Sequence, residues 1–206
     1  MAFYRDRIFP RIMNLMMNTK ETRRIRAEVC APLKGEVVEI GFGTGLNLPH
    51  IPPDVTRLLA VDPMERGRSM AQERLDASPV PVEFVGLDGE SLPIEDQSVD
   101  AVLATWTLCS IADPVAAVRE VKRVLKPGGT LHFVEHGRSE SQSVQKWQYR
   151  LDPIQKRLAG GCHLSRPIDE LVTSAGFEMV RLDAYQQPKE PKPFGWFFEG
   201  IARKPA

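Results

Sequence analysis

The sequence predicts an α/β fold built on a mostly parallel sheet, and three observations carry that expectation. Short apolar runs alternate with helical patterns between residues 37 and 134, the first run ends in alternating glycines, and the last two runs follow each other without a helix between them. Parallel strands need crossover connections and bury both faces, which is what continuous apolar runs separated by amphipathic helices supply.

Residues from about Arg11 to Leu33 place Ile12, Leu15, Met16, Thr19, Arg23 and Ile25 near helical spacing, and Pro32 and Gly35 close the segment, so one helix is expected there as a cap before the core. Strands follow at Val37–Ile40, Leu58–Val61, Val82–Val85, Val99–Ala104 and Leu131–Val134, with helices at Met64–Ala77 and Val115–Leu125. Lys126-Pro127-Gly128-Gly129 stops the second of these helices and turns into the fifth strand, because proline cannot continue a helix and glycine supplies the turn. Residues 140–160 and 167–175 read as further helices. Phe177–Gln187 and Phe194–Ala202, joined by a Pro-rich stretch at 188–193, read as a closing antiparallel hairpin. A single domain over residues 1–206 is expected, with residues 1–34 as a helical cap or lid, and no internal repeat interrupts it.

The composition, 42% hydrophobic and 26% charged with zero net charge, is that of a soluble globular protein. Charge is uneven: residues 1–26 carry seven Arg and Lys (Arg5, Arg7, Arg11, Lys20, Arg23, Arg24, Arg26) against Asp6 and Glu21. Such a segment suits a solvated helical face or peripheral contact with an anionic membrane surface; nucleic acid is not an expected partner. Charges and Pro10 interrupt the first twenty residues, so neither a secretory leader nor a transmembrane segment is expected. Cys30, Cys109 and Cys162 form no CxxC pair and are odd in number, which predicts neither a disulfide framework nor a zinc site and fits a reducing cytoplasm.

The glycine turn identifies a ligand class. Dinucleotide binding would place glycines at 41, 43 and 46, but position 46 is Leu and the third glycine is Gly45. Glu39, two residues before Gly41, would repel a pyrophosphate and attract a cation. S-adenosylmethionine has no phosphate and carries an ammonium and a sulfonium, so it is the expected cofactor, with S-adenosylhomocysteine as product. Asp62, ending the second strand, can accept hydrogen bonds from both ribose hydroxyls. Asp88-Gly89-Glu90 follows the third strand, where a side chain can meet the adenine amino group. Thr105 to Cys109 follows the fourth strand and is placed for the methionine end of the pocket. The expected cofactor set is Glu39, Gly41, Phe42, Gly43, Gly45, Asn47, Asp62, Pro63, Asp88, Gly89, Glu90, Thr105, Thr107 and Leu108.

These residues, together with Ser98-Val99-Asp100-Ala101-Val102 and Val124-Leu125-Lys126-Pro127-Gly128-Gly129, give a chain that resembles the class I S-adenosylmethionine-dependent methyltransferases of the ubiquinone/menaquinone type (type 11). That resemblance implies a Rossmann-like class I methyltransferase fold: a seven-stranded, mostly parallel sheet with an antiparallel C-terminal hairpin and an N-terminal helical cap. Thr107-Leu108-Cys109-Ser110, Glu135-His136, Leu151-Asp152-Pro153 and Gly161-Cys162-His163-Leu164 are further similar to the methyltransferase-like protein 7 family. This implies thiol S-methylation of a small lipophilic acceptor as the activity, with methylation of O, N or C, as in quinones or phospholipid headgroups, as the alternative enzyme reading. A non-catalytic cofactor-binding module is the alternative from another class. Animal members of that family begin with a hydrophobic anchor, which these first residues do not resemble, and their position equivalent to His163 is usually Asn.

Methyl transfer to sulfur needs in-line positioning and loss of the thiol proton, since the thiolate is the nucleophile. His136, ending the fifth strand, is the expected base; Asp152 is expected to orient it or accept the proton itself, and His163 is a third candidate. Cys162 beside His163 reads as a structural thiol, because adjacent residues rarely face each other. His132 and His136 lie too far apart along one strand to share a metal, and no metal is expected. Trp106, Trp147, Phe194, Trp196 and Phe197 are candidates for an apolar acceptor wall.

Overall fold

A computed structural model describes residues 9–63 and 65–206. Arg5, Asp6 and Arg7 of the basic segment, and Met64 at the expected start of a helix, lie outside the described residues.

The single helix expected at 11–33 is two helices, α1 (Phe9–Met16) and α2 (Lys20–Cys30). Thr19 is the reason. Its hydroxyl accepts the Thr22 N–H at 3.2 Å while the Thr22 hydroxyl accepts the Thr19 N–H at 3.0 Å, a reciprocal cap that starts a new helix where apolar spacing alone runs on. The helix expected at 64–77 is likewise split into α3 (Glu65–Met70) and α4 (Gln72–Asp76), with the Ala71 N–H shared between the carbonyls of Gly67 and Arg68.

Strands β1 (Gly35–Ile40), β2 (Val55–Val61), β3 (Val82–Gly86), β4 (Val99–Thr105) and β5 (Leu125–His136) are parallel. Helix α5 (Pro114–Val124), capped by the Asp113 carboxylate on the N–H groups of Val115 and Ala116, runs straight into β5. The Lys126–Gly129 stretch therefore lies inside the strand, where Gly128 has φ +77° and the ladder to β4 shifts register. After α6 (Gln142–Leu158) and α7 (Ile168–Ser174), β6 (Glu178–Gln186) and β7 (Trp196–Arg203) form the expected antiparallel hairpin. The order is β3-β2-β1-β4-β5-β7-β6, with β7 antiparallel to both neighbours.

The period of two along the strands sorts side chains between two cores. Val38 and Ile40 of β1 join Val102 and Ala104 of β4 against α5 and α7, whereas Val37, Ala101 and Leu103 pack with Ile25 and Val29 of α2. By the same alternation Glu39 and Thr105 face α2, where Arg26 comes down to meet them. Among the described residues no helix is long and apolar enough to cross a membrane.

Candidate active site

The strand order reverses between β1 and β4, and above their carboxyl ends opens a cleft of about 1350 Å³. Open α/β sheets place their ligands at this switch point. Residues of the glycine turn, of the β2, β3 and β4 ends, of α1 and of the α6 C-terminus line it.

The glycine turn depends on two close conditions. Gly41 has φ +76°, and a Cβ there would sit 2.0 Å from the Thr107 hydroxyl oxygen. Gly43 has φ +58°, but an added Cβ would meet nothing nearer than 3.9 Å, so its Cα faces open space in the cleft. The Gly43 N–H donates to Asp62 Oδ2 at 2.7 Å, so this carboxylate braces the turn while lining the cleft. Helix α1 closes over the same loop: the Thr44 hydroxyl bonds Asn14 at 2.8 Å, and Pro10, Met13 and Met17 complete that wall.

Beneath the turn lies a buried polar network. Arg26 Nη1 donates to Asn47 Oδ1 at 2.6 Å and to the Thr105 hydroxyl at 2.9 Å, and Asn47 Nδ2 donates to Glu39 Oε1 at 2.8 Å. Glu39 Oε2 is buried with no hydrogen-bond partner. Burial pushes the Glu39 carboxyl up to about 8, although the Asn47 hydrogen bond and the Arg26 charge pull the other way. An orphaned buried acceptor at this point fits a ligand ammonium, whose charge would return Glu39 to its ionised form. Trp106 has φ +52°, and the Arg26 guanidinium lies 4.8 Å from its ring centroid.

Of the residues expected to contact the cofactor, Gly41, Phe42, Gly43, Asn47, Asp62, Pro63, Asp88, Gly89, Glu90, Thr105 and Thr107 line the cleft. Glu39 lies behind Asn47. Gly45 packs against Phe42, Leu48 and Ala71, and Leu108 is wholly buried in the core.

None of His136, Asp152 and His163 lines the cleft. Asp152 accepts the Leu164 N–H at 2.6 Å and the Ser165 hydroxyl, and so fastens the segment after α6. His163 donates its backbone N–H to the Cys109 carbonyl at 2.8 Å. His136 is half-buried, its ring edge-on to Phe197 at 4.7 Å and its Nδ1 3.7 Å from Cys162 Sγ. Cys162 Sγ lies in turn 3.7 Å from Cys109 Sγ. That sulfur contact, assisted by His136, pulls the Cys162 thiol below its usual range, while the same contact and burial push Cys109 up.

The aromatic wall reduces to Trp106. Trp147 projects from α6, 55% exposed, Phe197 lies beneath Trp106 and His136, Trp196 packs on the core, and Phe194 does not reach the cleft.

Three features escaped the sequence reading. Lys156 and Arg157 bring cationic side chains to the cleft from the last turn of α6. Arg26 was legible only as part of a basic segment. Glu135, buried completely, accepts the N–H groups of Thr107 and Leu108 through one oxygen and of Cys109 through the other, at 2.9–3.0 Å, and so fixes the whole loop after β4. In the sequence Glu135 stands just past the expected end of the fifth strand, within the Glu135-His136 motif, where nothing local assigns it this role.

The fold and its cleft are those of a Rossmann-like α/β protein with its ligand site at the switch point. The methyltransferase domain family matches residues 38–133. The chain is 36% identical to rat thiol S-methyltransferase TMT1B over 78% of its own length, and spans 65% of that relative. It is 30% identical to human TMT1B, covering 95% of this chain and 86% of the relative. A crystal structure of an S-adenosylmethionine-dependent methyltransferase from Thermotoga maritima, described as a possible histamine N-methyltransferase, superposes with TM-score 0.67 at 25% identity over 96% of this chain and 98% of that one. The chain belongs to the class I S-adenosylmethionine-dependent methyltransferases, and S-adenosylmethionine is its methyl donor.

Proposed function

We propose that the chain methylates the sulfur of a small, largely apolar thiol. The observation that carries this reading is the make-up of the cleft wall. Lys156, Arg157 and Trp106 line it together with Asp62, Arg66, Asp88 and Glu90, and among the described residues no histidine stands on it. A thiol is the acceptor best suited to such a surface, because a few per cent is already thiolate near neutrality and neighbouring cations raise that fraction. An alcohol or phenol would need a positioned base. The names of the rat and human relatives support the same acceptor class.

In this reading Asp62 takes the ribose hydroxyls, the Asp88-Gly89-Glu90 turn the adenine edge, and Gly41 and Gly43 let the ligand lie on the backbone, with Phe42 and Pro63 flanking it. Asn47 and Glu39 take the ammonium, while Thr105 and Thr107 border the methionine end. Gly45 and Leu108 act from behind, by shaping the turn and the loop. When bound, S-adenosylmethionine would supply a sulfonium methyl carbon open to in-line attack by a thiolate, with S-adenosylhomocysteine as the leaving group. Lys156 and Arg157 hold that thiolate charge, Trp106 and Ile111 supply its apolar wall, and α1 excludes water, so catalysis rests on orientation.

Methyl-labelled donor offered with alkyl thiols, phenols, quinones and amines tests the reading. Label is expected on sulfur alone, with kcat/KM rising tenfold per pH unit up to the acceptor pKa. Label on oxygen, nitrogen or carbon with none on thiols overturns it.

A further inference from the structure

Behind the acceptor wall, three potential ligand atoms from three distant segments meet: Cys109 Sγ from the loop after β4, His136 Nδ1 from the end of β5, and Cys162 Sγ from the loop after α6. All lie within 4.8 Å of one another. We propose that Cys109, His136 and Cys162 form a binding site for one thiophilic metal cation of the Zn²⁺ class.

The geometry is close to what such an ion requires. Zinc–sulfur bonds of about 2.3 Å in a tetrahedron set the sulfurs roughly 3.8 Å apart. The observed Cys109–Cys162 and Cys162–His136 separations are both 3.7 Å. Only the third edge must shorten. The ligand set selects the ion by softness, since two thiols and an imidazole suit zinc, cadmium or copper(I) and not magnesium or calcium. Two thiolates neutralise a divalent charge, which lets the ion sit where Cys109 and Cys162 are 1% and 5% exposed. Half-buried His136 is the way in, and three protein ligands leave a fourth position for water.

The cluster is also held by its surroundings. Glu135 fixes the Cys109 amide, the Cys109 carbonyl receives the His163 N–H, and Phe197 sets the His136 ring. At Gly161, φ is +100° and an added Cβ would lie 2.7 Å from the Ser110 carbonyl oxygen, so the two cysteine-bearing loops are packed together before any ion arrives. Sequence spacing hides this arrangement: the ligands stand at 109, 136 and 162 with no CxxC, and the one HxxxH pair, His132 and His136, is not part of it because His132 bonds the Thr130 hydroxyl instead. Because Thr107, Ser110, Gly160 and Gly161 line the cleft, an ion here ties one part of its wall to another.

Reduced full-length protein titrated with Cd²⁺ is expected to show thiolate-to-cadmium charge-transfer absorption saturating at one ion per chain. Zn²⁺ should compete and should raise the melting temperature. C162S and H136N should each weaken binding by about 100-fold or more, C109S likewise, and C30S should leave it unchanged. Circular dichroism and S-adenosylmethionine titration check that each variant folds. Should C109S fail to fold, C162S and H136N decide. Reduced wild-type protein that takes up no ion at micromolar concentration, or binding that survives both C162S and H136N, overturns the proposal.

Discussion

Asp62 and Glu39 are set beside the glycine turn by opposite physical routes. Asp62 sits at the cleft surface and already accepts the Gly43 N–H, so in the proposed binding mode its loss removes a ribose contact and slackens the turn together. Asp62→Ala is expected to weaken S-adenosylmethionine binding by roughly 10- to 100-fold, the scale of one or two hydrogen bonds to a charged group; calorimetric titration measures it, and unchanged affinity would show that the ribose lies elsewhere. Glu39 is buried and pushed up to about 8, against about 4.3 for a free glutamate. Between those values the native chain keeps a proton that the unfolded chain has released, so stability falls as pH rises from about 4 to 8 and levels off above. Glu39→Gln should flatten the melting-temperature profile of cofactor-free protein over that window; an unchanged slope would place the titration on another group. The placement of Gly41, Gly43 and Asp62 on the cleft wall was legible because these residues are local to strand ends. His136, Asp152 and His163 were legible only as residue types: which way each points depends on α6 and the loops around it, and Asp152 turns out to be spent on backbone and Ser165.

At the level of elements, strand centres followed from apolar runs, while boundaries moved wherever a side chain intervened. Thr19 divided the N-terminal helix, and the Lys126–Gly129 turn was absorbed into β5 as a register shift. The loop after β4 is the clearest case of an element defined from outside itself, since one buried carboxylate, Glu135, holds three successive amides. Glu135→Ala leaves those donors unpaired and is expected to cost about 3 kcal/mol or more, seen as a lowered denaturant midpoint, with Glu135→Gln recovering part. Equal stability of Glu135→Ala and wild type would mean that water replaces the carboxylate without loss.

For the whole molecule, α1, the glycine turn and the α6 C-terminus close on one cleft, so ligand binding draws separate segments into one thermodynamic unit. Free S-adenosylmethionine at 100 times its dissociation constant should add about 2.7 kcal/mol, or roughly 5–10 °C in melting temperature for a chain of this size. Differential scanning calorimetry gives the shift directly, and its absence would separate cofactor binding from the folded state. The sheet order was legible only as a family expectation: periodicity reports that a run is a strand, not which strand it joins.

The placement of β7 between β5 and β6 has a consequence for biosynthesis. Its ladder to β5 uses residues 197–203 and its ladder to β6 residues 196–203, so one strand completes both edges. During translation β7 emerges after both of its partners, so β5 and β6 each wait with an unpaired edge until it arrives. The nascent chain must keep two sticky ladders apart until β7 slides between them. Emergence of β7, not of the cofactor-binding half, therefore sets the moment at which this sheet stops being vulnerable to association with its neighbours.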